Sequence, residues 1–354
     1  MMPPLSERQK RILLLVVREY IESGQPVASQ ALVRRYHLEF SPATVRNEMA
    51  ALSEMGYLRQ PHTSAGRVPT EEGYRFFVTH LMNQVELPEE LQHTITHQFY
   101  QSKADVDEWM QLAATILAHQ TRAVSLVTAP HPEQVRFKHV ELISTQGRQV
   151  LMVLVIEGGE VSQQVLALSE PVTQERLSQV AQRLNQALRG LTLEAILAQP
   201  RRSDALEQDI FTLIVQDLRR IAEQPAGEVY FDGLTNVLEA PEFIESEELR
   251  HALRLLEERT LLKNLLARTV EQSHIGGLQV IIGSDAGWEE LRQCSMVLAR
   301  YGVPGMLTGA LGVLGPMRMS YARTIPTVRF MADLLSNLFN EQFTAPTPPS
   351  QDAR

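Results

Sequence analysis

The stretch "SPATVRNEMAALSEMGYLRQPHTSAGRVPT", Ser41 to Thr70, decides how the N-terminal end of this chain is read. Ser41 is a good helix N-cap, and Pro42 takes the first helical position, where a missing N–H costs nothing. Gly56 is a typical residue to end such a helix. Val45, Met49 and Leu52 recur at i, i+4 and i+7 and should face a core, leaving Ala43, Thr44, Arg46, Asn47 and Ala50 outward. Tyr57-Leu58-Arg59 reads as a short strand and Gly66-Arg67-Val68 as its antiparallel return. A polar, basic loop running from His62 to Arg67 lies at the turn.

The flanking segments complete a pattern. Ser6–Glu22 is an amphipathic helix with Ile12, Leu13, Val16, Val17 and Tyr20 at helical spacing, ended by Ser23-Gly24. Val27–Tyr36 is a shorter helix with Arg34 and Arg35 exposed near its end, and Glu71–Leu81 is helical again. Three helices, a ribbon and a closing helix predict a winged helix-turn-helix. In such a fold the third helix reads base edges: small residues permit close approach, Arg suits guanine and Asn suits adenine. The expected DNA contacts are Ser41, Ala43, Thr44, Arg46 and Asn47 on the helix, with His62, Thr63, Ser64 and Arg67 in the wing. Glu48 and Glu54 would be held away from the DNA backbone. Winged helices also dock proteins, so this architecture leaves both functions open.

Charge supports an uneven division of labour. Residues 1–84 hold ten Lys/Arg against eight Asp/Glu, whereas the whole chain of 354 residues carries a net charge of −9. An acidic body with one mildly basic end confines any contact with a polyanion to that end. The length predicts more than one domain, and 44 % hydrophobic residues supply ample core. No run approaches the roughly 18 apolar residues of a membrane span, and MMPPLSERQK lacks a secretory pattern. Cys294 is the sole cysteine, which excludes internal disulfides and a cysteine-rich zinc site. A cytoplasmic location is expected.

Beyond residue 84 the chain first reads as a helical linker, 85–120, marked by Leu91, Ile95, Trp109, Leu112 and Leu117. Four β-type runs follow, Ala123–Thr128, Val135–Ile143, Gln149–Ile156 and Val161–Leu168, which predict one antiparallel sheet with a hairpin turn at Glu157–Glu160. A helical block comprises Thr173–Leu188, Ala205–Glu223 and Ser246–Thr269. β character returns at Leu278–Gly283 and Met296–Tyr301, so the sheet should resume after an insertion. Leu249, Leu253 and Leu256 form a stripe on the long helix, with Leu255, Leu262 and Leu266 adding apolar surface elsewhere on it. That pattern fits a dimer interface, with an intramolecular core as the alternative. A two-fold dimer would present two third helices to the half-sites of an inverted-repeat operator.

No enzyme is expected. His93 and His97 lie four apart on a helix but have no third ligand at a convincing spacing, so no metal or other cofactor is predicted. Cys294 is read as a buried apolar residue. Leu311–Pro316, "LGVLGP", lacks the Lys of a phosphate loop; its glycines either turn the backbone tightly or admit another segment close by.

"LSERQKRILLLVVREYIESGQPVASQALVRRY", the opening stretch and "EGYRFFV" resemble the N-terminal region of the bacterial HrcA family of heat-inducible transcription repressors. The similarity continues in "FDGLTNVLEAPEF", "VIIGSD" and "CSMVLARYGVPGMLTGALGVLGPMRMSYAR". Ala28 stands where members often carry glycine, a departure at a position read as structural. The resemblance implies an α+β chain: an N-terminal winged helix-turn-helix and a GAF-like antiparallel sheet domain split by an inserted, mainly helical dimerisation domain. The expected divisions are 1–84 for DNA binding, 85–120 as linker, and 121–170 and 276–341 for the GAF-like domain. The insertion is expected at 171–275 and a disordered tail at 342–354. The resemblance also implies an operator upstream of heat-shock chaperonin genes, inactivation by heat, and a chaperonin that assists folding of the active repressor. A metabolite-gated regulator is the alternative, since GAF-type domains often hold small molecules.

Overall fold

A computed structural model of the chain describes residues 4–62, 65–82, 86–102, 105–158, 161–222, 228–238, 274–283 and 294–344. The N-terminal end begins with α1 (Glu7–Ser23), α2 (Ser29–Tyr36) and α3 (Pro42–Glu54). A two-stranded ribbon, β1 (Leu58–Arg59) and β2 (Val68–Pro69), and α4 (Glu71–Phe76) follow, with a π-helical turn at Phe77–Leu81. Local chemistry sets these boundaries. Ser6 and Gln9 form a reciprocal capping box on α1, which ends at Gly24 in the left-handed region. Thr70 caps α4 while its hydroxyl donates to the Gly56 carbonyl at 2.6 Å, tying the end of the ribbon to the residue that opens it. Ala28 precedes α2 at φ −91°, an extended conformation that any residue adopts, so alanine costs nothing there.

Two further sheets build the body. β3 (Val124–Thr128), β4 (His131–Pro132), β8 (Val229–Asp232), β9 (Leu278–Ile282), β10 (Cys294–Val303) and β11 (Leu307–Pro316) make a six-stranded sheet. Its order is β8-β3-β11-β10-β9, with β4 also paired to β11, all antiparallel. α6 (Val106–Thr121) and α11 (Tyr321–Thr344) pack on it, joined by Trp109 edge-on to Phe339 at 5.5 Å and Tyr301 stacked on Phe339 at 5.9 Å. The buried Tyr301 hydroxyl donates to the Thr128 carbonyl at 2.5 Å. α5 (Glu89–Gln101) precedes α6 and buries Ile95 and Phe99 in the same core.

The second sheet has three strands, β5 (Phe137–Ser144), β6 (Gln149–Ile156) and β7 (Val161–Ala167), in that order. α7 (Gln174–Leu188), α8 (Leu193–Leu197) and α9 (Ala205–Ala222) follow it, and Val140, Met152 and Leu154 share a second core with Leu177, Leu184 and Ile214. α10 (Leu234–Leu238) follows β8.

Three expectations need correction. Of the four β-runs expected in one sheet, only Ala123–Thr128 belongs with the late strands; the other three form a sheet of their own. The departure from the first sheet therefore falls between β4 and β8, not at 171, and the inserted part carries strands as well as helices. The reason is long-range pairing: Val124–Val127 lie against Leu311–Leu314, far along the chain. The segment 85–120 is no mere linker either, because α6 is a core helix with Met110, Ala113, Ala114 and Leu117 buried. Of the two readings of "LGVLGP", close approach is the one the structure bears out: the stretch lies in β11, where a Cβ at Gly312 would sit 2.2 Å from the Val297 carbonyl oxygen. The sheet resumes already at β8, ahead of the expected return at 276, and continues through β9–β11; Cys294 is buried.

Candidate nucleic-acid interface

α3 buries Val45, Met49 and Leu52, at 0 %, 3 % and 0 % exposure, as its spacing predicts. Its opposite side is open: Ala43, Arg46 and Asn47 are exposed, with Thr44 and Ala50 half-buried. Ser41 accepts a hydrogen bond from the Thr44 amide at 3.1 Å, and the two hydroxyl oxygens lie 2.9 Å apart. Ser41 and Thr44 thus fix the helix end that precedes Arg46. Among the described residues the side chains of Arg46 and Asn47 have no hydrogen-bond or ion-pair partner, so their donors are uncommitted. No group of three or more His, Cys, Asp or Glu among the described residues could hold a metal ion.

The ribbon stands beside α2 through backbone pairing. The Val27 and Arg67 amides donate to each other's carbonyls at 2.8 and 2.9 Å, so Arg67 is held next to the start of α2. His62 is exposed, the Ala65 amide donates to its carbonyl, and the Gln60 side chain donates to the Ala65 carbonyl at 3.1 Å. The segment expected as a wing is therefore carried on a two-residue ribbon, with His62 and Ala65 joined at its base. Thr63 and Ser64 lie outside the described residues, as do Leu249, Leu253, Leu256 and the rest of Ser246–Thr269.

The arginines of this end differ in what they are free to do. Arg35 pairs with Glu19 at 2.8 Å and Glu22 at 2.5 Å, which locks α2 to α1. Its neighbour Tyr36 donates to Glu19 at 3.3 Å, and burial raises the pKa of that hydroxyl. Arg8 pairs with Glu48 at 3.3 Å. Sequence reasoning missed both commitments. The acidic partners Glu19 and Glu22 are visible in the sequence, but only the packing of α2 on α1 brings them to Arg35.

Residues 107–325 match the family model described as the HrcA protein C terminal domain, a match that opens within α6. The heat-inducible transcription repressor HrcA of Roseiflexus castenholzii (strain DSM 13941 / HLO8) is 43 % identical over 347 residues, covering 96 % of each chain. That of Chloroflexus aggregans (strain MD-66 / DSM 9485) is 41 % identical, across 98 % of this chain and 96 % of its own. A solved structure described as a hypothetical protein at 2.2 Å resolution is similar with a TM-score of 0.57 at 26 % identity, covering 95 % of this chain and 98 % of that one. The chain belongs to the HrcA family of heat-inducible transcription repressors, which are DNA-binding regulators and not enzymes.

Proposed function

We propose that the N-terminal end is a winged helix-turn-helix that holds the repressor on an inverted-repeat operator, one α3 in the major groove of each half-site. Arg46 and Asn47 read base edges; Ser41, Ala43 and Thr44 lie against the groove; His62, Thr63, Ser64 and Arg67 meet the backbone or minor groove from the wing. The observation that carries this reading is the uncommitted Arg46-Asn47 pair on the outward side of a helix whose other side is fully packed.

A homodimer supplies the two-fold symmetry, and two tethered readers offset the modest charge of each. The sheet β5-β6-β7 supports a dimer, since one of its faces aligns Ile143, Leu151 and Val165 in a row and pairs Val155 with Val161. Ile143, Val161 and Val165 are 41 %, 50 % and 61 % exposed, an apolar surface suited to a second copy. Leu249, Leu253 and Leu256 are proposed to extend the interface. The six-stranded sheet and its helices serve as the GAF-like domain. The operator lies upstream of chaperonin genes in the cytoplasm. Heat inactivates the repressor, and the chaperonin helps it refold.

The test is binding to an inverted-repeat operator and to a scrambled duplex across a salt series, with wild type and Arg46→Ala. Direct readout predicts tight, salt-sensitive binding to the repeat and, in the variant, a loss of discrimination worth about 1–3 kcal/mol. Equal, weak binding of both duplexes by folded dimer would overturn it.

A further inference from the structure

A helix that lies in the groove of a polyanion should carry no free carboxylate near the phosphates, yet α3 carries Glu48 two residues after Arg46. In the structure that carboxylate is only 20 % exposed and its Oε1 lies 3.3 Å from Arg8 Nη1. The Arg8 guanidinium also sits over the Phe40 ring, 4.9 Å from its centroid, directly before the Ser41 cap of α3. Arg8 is thus placed against both the entry to α3 and its acidic flank. It is itself 48 % exposed, so the guanidinium and not the carboxylate forms the outer surface there.

Stability gives only a modest account of this arrangement. The contact of Arg8 with the Phe40 ring contributes a little, and an ion pair whose cation is half exposed adds little more. A cation in the first turn of α1 also opposes the helix dipole, whose N-terminal end favours anions such as Glu7. The backbone at Arg8 is nevertheless fixed, because the Ser6–Gln9 capping box encloses it. What the arrangement changes most is the charge that the α3 face presents, since it pairs the one carboxylate beside Arg46.

We propose that Arg8 is a positioning residue for DNA binding: it neutralises Glu48 and turns it toward α1, leaving a recognition face whose charge is set by Arg46. The inference rests on the reading of α3 as the recognition helix. Its ligand is the duplex phosphate backbone, so the effect is general to DNA and not to one sequence.

The experiment uses the full-length chain with labelled inverted-repeat and scrambled duplexes, comparing wild type, Arg8→Ala, Glu48→Gln and the double variant. Arg8→Ala weakens binding to both duplexes by about tenfold, leaving their ratio unchanged. Glu48→Gln alone binds within about twofold of wild type, and the double variant recovers to that level. Recovery is the decisive readout when the unfolding midpoints of Arg8→Ala and the double variant agree, because glutamine restores no ion pair but does remove an orphaned carboxylate. A double variant as weak as Arg8→Ala overturns the proposal, and a salt slope lower by about one would then mark Arg8 as a direct phosphate contact. If wild type fails to discriminate the two duplexes, the recognition-helix reading falls, and this inference with it. If wild type discriminates and only the recovery fails, the reading stands without Arg8.

Discussion

A Cβ added at Gly66 would lie 2.3 Å from the Val27 carbonyl oxygen and 2.8 Å from the Pro26 carbonyl carbon. Both obstacles are backbone, so neither can rotate away. Gly66→Ala should therefore cost about 1–3 kcal/mol in a denaturant titration, by forcing the ribbon off α2. The sequence "HTSAGR" shows a glycine in a loop and suggests a turn. Its actual constraint is close approach, and the approaching residue is far upstream. The same limit separates Arg46 from Arg35. Both look like solvent-facing arginines on short helices, but only packing reveals that Glu19 and Glu22 occupy the second. The apolar half of α3 was fully legible, because Val45, Met49 and Leu52 depend on helical period alone.

Strands show where local reading stops. β5 is an edge strand, and its outward backbone groups are met by amide side chains of α7 instead of another strand. Asn185 accepts from the Val140 amide at 2.7 Å and donates to the Val140 carbonyl at 3.0 Å. Gln174 does the same for the Ser144 amide and the Leu142 carbonyl, at 2.7 and 2.8 Å. Such a seal prevents edge-to-edge pairing. Asn185→Ala should lower stability by about 1–2 kcal/mol, while Gln182→Ala, an exposed position on the same helix, leaves the unfolding midpoint unchanged. Periodicity made β5, β6 and β7 legible as strands but gave no sign of their partners. β11 was missed as a strand because its three glycines lower strand propensity. They are needed: a Cβ at Gly309 would fall 2.4 Å from the Tyr301 ring. The string "FDGLTN" was distinctive in sequence and proves to clamp α6 to β3, with the Asn236 amide donating to the Ala118 and Ala123 carbonyls.

At the scale of the molecule, the three N-terminal helices and the six-stranded sheet share one continuous core. Tyr74 of α4 meets Tyr321 at the start of α11, ring centroids 6.1 Å apart. The two hydroxyls fare differently. That of Tyr321 bridges Ser295 Oγ and the Met317 carbonyl, each at 2.8 Å. That of Tyr74 is buried with no hydrogen-bond partner among the described residues, and burial pushes its pKa well up. Tyr74→Phe should therefore raise stability by roughly 1 kcal/mol, whereas Tyr321→Phe should lower it by about as much. Calorimetry of the two variants checks the sign, and operator release should move to higher temperature in the first and lower in the second. One core also predicts one transition, with loss of DNA binding and melting of the sheet coinciding in a thermal scan.

That shared core bears on how such proteins can be recombined. A Cβ at Gly24 would touch the Arg318 guanidinium at 3.7 Å, and one at Gly283 would strike the Glu71 carboxylate at 2.3 Å, so the N-terminal end is seated on the body at several points. It is not a cassette to be lifted off and spliced to another regulator. A chimaera that takes residues 4–82 must also take Tyr321 and its surroundings, or leave Tyr74 without the ring it packs on.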